Sequence, residues 1–225
     1  MTVATEQQQI LVRKMARALA RGGLVHAYGH CSLRLDEQHF LVCAAKPMGL
    51  IQPGEAGTVV PVDGALPEGV LGEVRMHQQI YKRRPGVQSI ARFLSPNVMA
   101  LAALGLTPKA RHGFGAYFHP QVPFWSDPGL IRNDAAAVGV AEVMGDAPAV
   151  VVAINGSVTA GETPEQAVTL AWYLEDAARV ELAALAAGMA ESAPRMNAEQ
   201  AAQRATWQGR IAERMWEHLS NGDPE

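Results

Sequence analysis

SIARFLSP, residues 89–96, is the stretch on which the reading of this chain turns. Ile90, Phe93 and Leu94, with Val87 just before them, have the outline of a buried strand, and Ser95-Pro96 then opens a helix with proline in its first turn. Arg92 interrupts the pattern. A buried guanidinium is costly unless it is paired, so this side chain either meets a carboxylate or a ligand, or turns to the outer face and reaches water. The sequence pattern leaves both open.

Upstream, GEVRMHQQIYKRR (72–84) is helical in pattern and ends at Pro85, because the residue before proline disfavours helical angles. Before it, CSLRLD and HFLVCA flank the turn Asp36-Glu37-Gln38 and predict a hairpin, and TVVPVDG a further strand. The first helix is expected over residues 5–21, where Ile10, Leu11, Met15, Ala18 and Leu19 recur at helical spacing and Gly22-Gly23 supply the stop.

Downstream lie an aromatic, Gly-rich segment (111–127), a helix capped by Asn133 or Asp134, the strand AVVVAI, an Asn155-Gly156-Ser157 turn and the returning VTAG. A long helix follows, with Thr163 as cap and Pro164 at its first position, and a last amphipathic helix is expected to start near Asn197 and run through Trp207, Ile211, Met215 and Trp216. Helices interleaved with hairpins and single strands predict one α/β domain over residues 1–225, a three-layer sandwich around a mixed sheet, with a C-terminal helical extension from about residue 197.

With 225 residues, 48% of them hydrophobic, and a net charge of -3, the chain can bury a sizeable core and carries no electrostatic footprint for nucleic acid or an anionic membrane. No window reaches the roughly 18 apolar residues of a membrane span, and the N-terminus lacks the apolar core and cleavage site of a signal peptide. A cytoplasmic protein acting on small molecules is expected, with Cys31 and Cys43 as reduced, buried hydrophobes.

Several residues are candidates for chemistry. Glu73 and His77, four apart on one predicted helix, share a face and make a possible acid/base pair, although such pairs are common on solvated helices. His26, His30, His112 and His119 show no tight metal-ligand spacing. Lys46 can bind an anion or, desolvated, form a Schiff base. The aromatic cluster Phe114, Tyr117, Phe118, Phe124 and Trp125 lines either a pocket or, more commonly, a core.

The order of Gly29-His30-Cys31-Ser32-Leu33-Arg34, the helix GEVRMHQQIYKRRPGV, the following IARFLSP and the late VVAINGSVTAG resembles the class II aldolase/adducin family over nearly the whole chain. VHAYGHCSLRL and GDAPAVVVAINGSVTAGETPEQAV look most like its hydroxy-carboxymuconic semialdehyde decarboxylase branch. The resemblance implies an α/β/α sandwich with a largely antiparallel central sheet, a homotetramer or other homo-oligomer, and a divalent metal held by three histidines. At those three positions this chain has Arg92, Leu94 and Asn155, so no metal is expected.

Glu73 matches the family's acid/base glutamate, and His30 and Ser32 fall in its substrate loop. The reading that follows is a metal-independent carbon–carbon lyase, most simply a decarboxylase of a small aromatic-derived or keto acid. Glu73, Arg92 and His30 would carry catalysis, and Ser32, Lys46, His77, His112 and Asn155 would contact an acidic substrate. Lys46 and Met48 stand roughly where sugar-phosphate aldolases hold phosphate on small hydroxylated residues, which disfavours a phosphorylated sugar. Loss of every ligand also admits a non-catalytic binding or regulatory protein, with a paralogous subunit as one partner. Relocation of a metal to His30, His77 or His112 would give an oxygenase.

Overall fold

The computed structural model describes residues 2–225. Its centre is a seven-stranded sheet. In chain order the strands are β1 (His30–Arg34), β2 (His39–Val42), β3 (Thr58–Pro61), β4 (Ser89–Phe93), β5 (Phe124–Trp125), β6 (Ala149–Val152) and β7 (Ser157–Gly161). They lie in the order β3-β2-β1-β4-β7-β6-β5. Every pairing is antiparallel except β5 with β6, so the sheet is mixed and largely antiparallel as expected. The short β5 lies inside the aromatic segment, and its pattern gave no strand signal.

Five helices cover the sheet: α1 (Glu6–Arg21), α2 (Arg75–Arg83), α3 (Pro96–Ala103), α4 (Asp134–Met144) and α5 (Pro164–Ala186); of the two that follow, α6 (Ala198–Arg204) packs on the 3₁₀ turn Gly115–Phe118 and α7 (Ile211–Ser220) on α1 and α5. One apolar core joins the sheet to α1, α3 and α5 through Val12, Met15, Leu19, Phe93, Leu101, Val168 and Leu174. A second core lies on the opposite face beneath α2 and α4, through Met76, Ile80, Ile90, Val140, Met144 and Val158. These are the three layers. Among the described residues no helix is long and apolar enough to cross a membrane.

Local signals account for the element ends. Thr5 caps α1 in a reciprocal box with Gln8, Asn133 accepts from the Ala136 amide at the start of α4, and Thr163 accepts from Gln166 ahead of Pro164 in α5. The single last helix expected from residue 197 is two: the backbone leaves the helical region at Ala205 (ψ 79), and Gly209 (φ 72) and Arg210 (φ 59) are left-handed just before α7, so the helix does not run through. Trp207 in that link packs on Tyr117, with ring centroids 4.9 Å apart.

Candidate functional site

All five residues of β4 are buried at the middle of the sheet, and their alternation settles where Arg92 goes. Ala91 and Phe93 enter the α1/α5 core while Ile90 enters the α2/α4 core, so Arg92 shares the face of Ile90. It lies at the strand end, past the core, against a cleft of about 490 Å³. The side chain neither snorkels nor meets a carboxylate directly: its Nη2 donates to Asn155 Oδ1 (2.7 Å) and to the Asn155 carbonyl (3.1 Å). Nε and Nη1 have no acceptor among the described residues. Burial lowers its pKa to about 10, which leaves the guanidinium charged at neutral pH, and the charge of Glu73 acts against that shift.

Two glycines build this corner. Asn155 sits in the β6–β7 turn, where Gly156 has φ 82 and a Cβ would lie 2.2 Å from the Phe93 carbonyl oxygen. Only glycine lets the turn close over the end of β4. On the other side Gly29 has φ 138, and a Cβ there would lie 2.8 Å from Met48 Cε and 3.0 Å from the Arg92 carbonyl oxygen. This close approach starts β1, whose His30 is then the direct cross-strand partner of Arg92.

Glu73 is not on the regular helix. It belongs to the 3₁₀ turn Gly72–Val74 that precedes α2, and from there its carboxylate reaches the cleft, 3.2 Å from Arg132 Nε. His77 is fully buried inside α2, behind the cleft wall. The expected shared ligand for Glu73 and His77 is therefore corrected: the change from 3₁₀ to α winding turns them to different surroundings. Ser32 and His77 are also not cleft-lining residues.

Instead they form a buried chain. Tyr81 Oη lies 2.9 Å from Ser32 Oγ, Ser32 Oγ 2.7 Å from His77 Nδ1, and His77 Nε2 2.9 Å from His30 Nδ1. His30 lines the cleft, and its Nε2 is buried without a partner. Burial and the neighbouring Arg92 charge lower the His77 pKa to about 3; burial, His77 and Arg92 hold His30 well below the ordinary histidine value. Both rings are neutral at pH 7.

Lys46 lines the cleft, but its ammonium is bound by Glu55 at 2.5 Å. His112 lies away from it in this chain, with Nε2 2.7 Å from Asp176 on α5. The aromatic segment packs as core: Phe114 stacks on Tyr173 with centroids 4.3 Å apart, and Trp125 covers Gly139. Arg132 and Tyr81 escaped the sequence reading. Tyr81 continues the four-residue spacing from Glu73 through His77, a signal that was available; Arg132 stands in a loop with no periodicity to mark it.

The cleft thus collects Lys46, Arg92 and Arg132 against the single carboxylate Glu73, with Tyr28, Leu71, Leu94 and Leu130 as apolar wall. Such a surface has the charge to hold an anion. Among the described residues no three His, Cys, Asp or Glu side chains gather as a metal-ligand group.

Comparison with known proteins agrees with the architecture. Residues 11–182 match the family described as Class II Aldolase and Adducin N-terminal domain. The chain is 30% identical over 212 residues to a 3,4-dihydroxyphthalate decarboxylase of Terrabacter sp. (strain DBF63), covering 84% of this chain and 85% of that protein. It is 31% identical over 196 residues to a protein of the same name from Arthrobacter keyseri, covering 76% of each. In structure it is similar to an L-fuculose 1-phosphate aldolase from Glaciozyma antarctica PI12, with TM-score 0.78, 23% identity, and 97% and 92% of the two chains covered. With the sandwich, the site at the end of β4 and these likenesses together, the chain belongs to the class II aldolase/adducin family.

Proposed function

We propose that the protein is a decarboxylase of an aromatic acid that carries a hydroxyl beside the departing carboxylate, with 3,4-dihydroxyphthalate as the first substrate to test. The relatives' name supports the substrate class. The observation that carries the chemistry is Arg92: a buried, charged guanidinium, steadied by Asn155, with two donor nitrogens free at a cleft that holds one carboxylate.

The residues at the family's metal positions do not suit a divalent cation. Arg92 is itself cationic and has donors only, Leu94 has no donor atom, and the Asn155 oxygens already accept from Arg92. The guanidinium takes the electrophile's place, offering hydrogen bonds to the phenol oxygen and to the adjacent carboxylate.

Glu73 removes the phenolic proton, and Arg92 stabilises the phenolate that results. Glu73 then gives the proton to the ring carbon bearing the carboxylate, producing a ketone. The carbon–carbon bond breaks, carbon dioxide leaves, and the electron pair restores the aromatic ring with a phenolate on Arg92. A solvent proton completes the product. Arg132 holds Glu73 in place between the two transfers.

The test is incubation of chelator-treated protein with 3,4-dihydroxyphthalate, following carbon dioxide release and loss of the substrate absorbance. Turnover undiminished by chelation is expected, with a fall of at least about a hundredfold in Glu73→Gln. Unchanged turnover in that variant would remove Glu73 from the mechanism, and dependence on added metal would remove Arg92 as the electrophile.

A further inference from the structure

The buried chain behind the cleft can run in two directions: one leaves both the Tyr81 hydroxyl hydrogen and His30 Nε2 unpaired, the other leaves only His30 Nε2. Both rings are neutral, so each carries one N–H. Suppose His30 Nδ1–H donates to His77 Nε2, His77 Nδ1–H to Ser32, and the Ser32 hydroxyl to Tyr81. The Tyr81 hydroxyl hydrogen is then buried without an acceptor, since Ser32 is its only side-chain or backbone partner among the described residues. Leaving a buried donor unmade is costly.

In the opposite direction Tyr81 O–H donates to Ser32 Oγ, Ser32 O–H to His77 Nδ1, and His77 Nε2–H to His30 Nδ1. Each of these three hydrogens finds an acceptor at 2.7–2.9 Å. The remaining N–H is on His30 Nε2, a buried atom without a protein partner, on a residue that lines the cleft. We propose that Tyr81, Ser32 and His77 act as positioning residues that hold His30 as its Nε2–H tautomer, a fixed hydrogen-bond donor to an anionic oxygen of the substrate.

The consequence is a substrate class. His30 and Arg92 are direct partners on neighbouring strands, with side chains on one face about 5 Å apart at their Cβ atoms. That spacing suits two carboxylates on adjacent ring carbons: the one to be lost, beside the phenol oxygen, on Arg92, and the retained one on His30 Nε2–H. The identity of the anion rests on the decarboxylase reading; the tautomer does not.

Long-range proton–nitrogen correlation spectra of protein labelled with ¹⁵N-histidine read the tautomers without any substrate, with assignment from His30→Gln and His77→Gln. The expected result is Nε2–H in both rings with an unprotonated Nδ1. Protonated Nδ1 in His30 would overturn the proposal. Calorimetric titration with phthalate, which has both carboxylates and no hydroxyl, then tests the contact. His30→Leu is expected to bind it at least about tenfold more weakly than the unaltered protein, and His30→Gln, which keeps an N–H, to recover part of the loss. Equal affinity in His30→Leu would overturn the His30 contact. Failure of the unaltered protein to bind phthalate would instead overturn the dicarboxylate assignment and count against the decarboxylase reading.

Discussion

Arg92 and His77 answer burial in opposite ways. Desolvation lowers both pKa values, but Arg92 starts so high that about 10 still leaves it charged, whereas His77 at about 3 has lost its charge. The site therefore has a permanent cation backed by a neutral hydrogen-bond chain. Stability carries the signature of this neutrality. Below the ordinary histidine value of about 6.5 the unfolded chain takes up a proton at His77 that the folded chain refuses, so stability present above that pH declines as pH falls toward 3. At pH 5 this residue alone should cost about 2 kcal/mol relative to pH 7 or above. Urea unfolding at pH 7 and pH 5 measures it; equal stabilities would mean that His77 is protonated in the fold.

At the scale of elements, the β6–β7 turn and the junction before α2 make the site. Ile154 (φ 46) and Gly156 (φ 82) both hold left-handed backbone, which for a β-branched residue such as Ile154 is strained. The turn spends that strain on placing Asn155 against Arg92. Gly156→Ala adds a Cβ to a point 2.2 Å from the Phe93 carbonyl oxygen. It should destabilise the protein by more than about 2 kcal/mol and lower turnover together, as seen in thermal melts and the decarboxylation assay. A soluble, equally stable Gly156→Ala protein would show that the turn has room to move. The Asn155-Gly156-Ser157 turn itself was legible from residue type. Its contact with β4, and the 3₁₀ winding that separates Glu73 from His77, were not, because four-residue spacing implies a shared face only within a regular helix.

At the scale of the whole molecule, α1 is tied to the C-terminal residues by buried ion pairs. Arg17 meets Asp223 at 2.6 Å and Glu225 at 2.8 Å, and Arg13 meets Glu225 at 2.5 Å. Hydrogen bonds from Arg13 and Arg17 draw the Glu225 carboxyl down to about 2. Arg17→Ala would strand the Asp223 carboxylate, whose side chain is 1% exposed. A loss of about 3 kcal/mol is expected by chemical denaturation. A change within experimental error would mean that the C-terminal residues detach and rehydrate the charge.

Periodicity, caps and turn residues sufficed for most elements and for the α/β class, because those signals are local and repeat along the chain. The same local rules could place Arg92 in a strand, and could not say which way it points, since a strand has two faces and only the packing of α2 and α4 tells them apart. His30, Ser32, His77 and Tyr81 likewise stand out singly as polar residues among apolar ones. Their joining into one directed hydrogen-bond chain depends on the β1–β4 register and the seating of α2, which are long-range contacts between segments tens of residues apart, and so only the tertiary structure decided it.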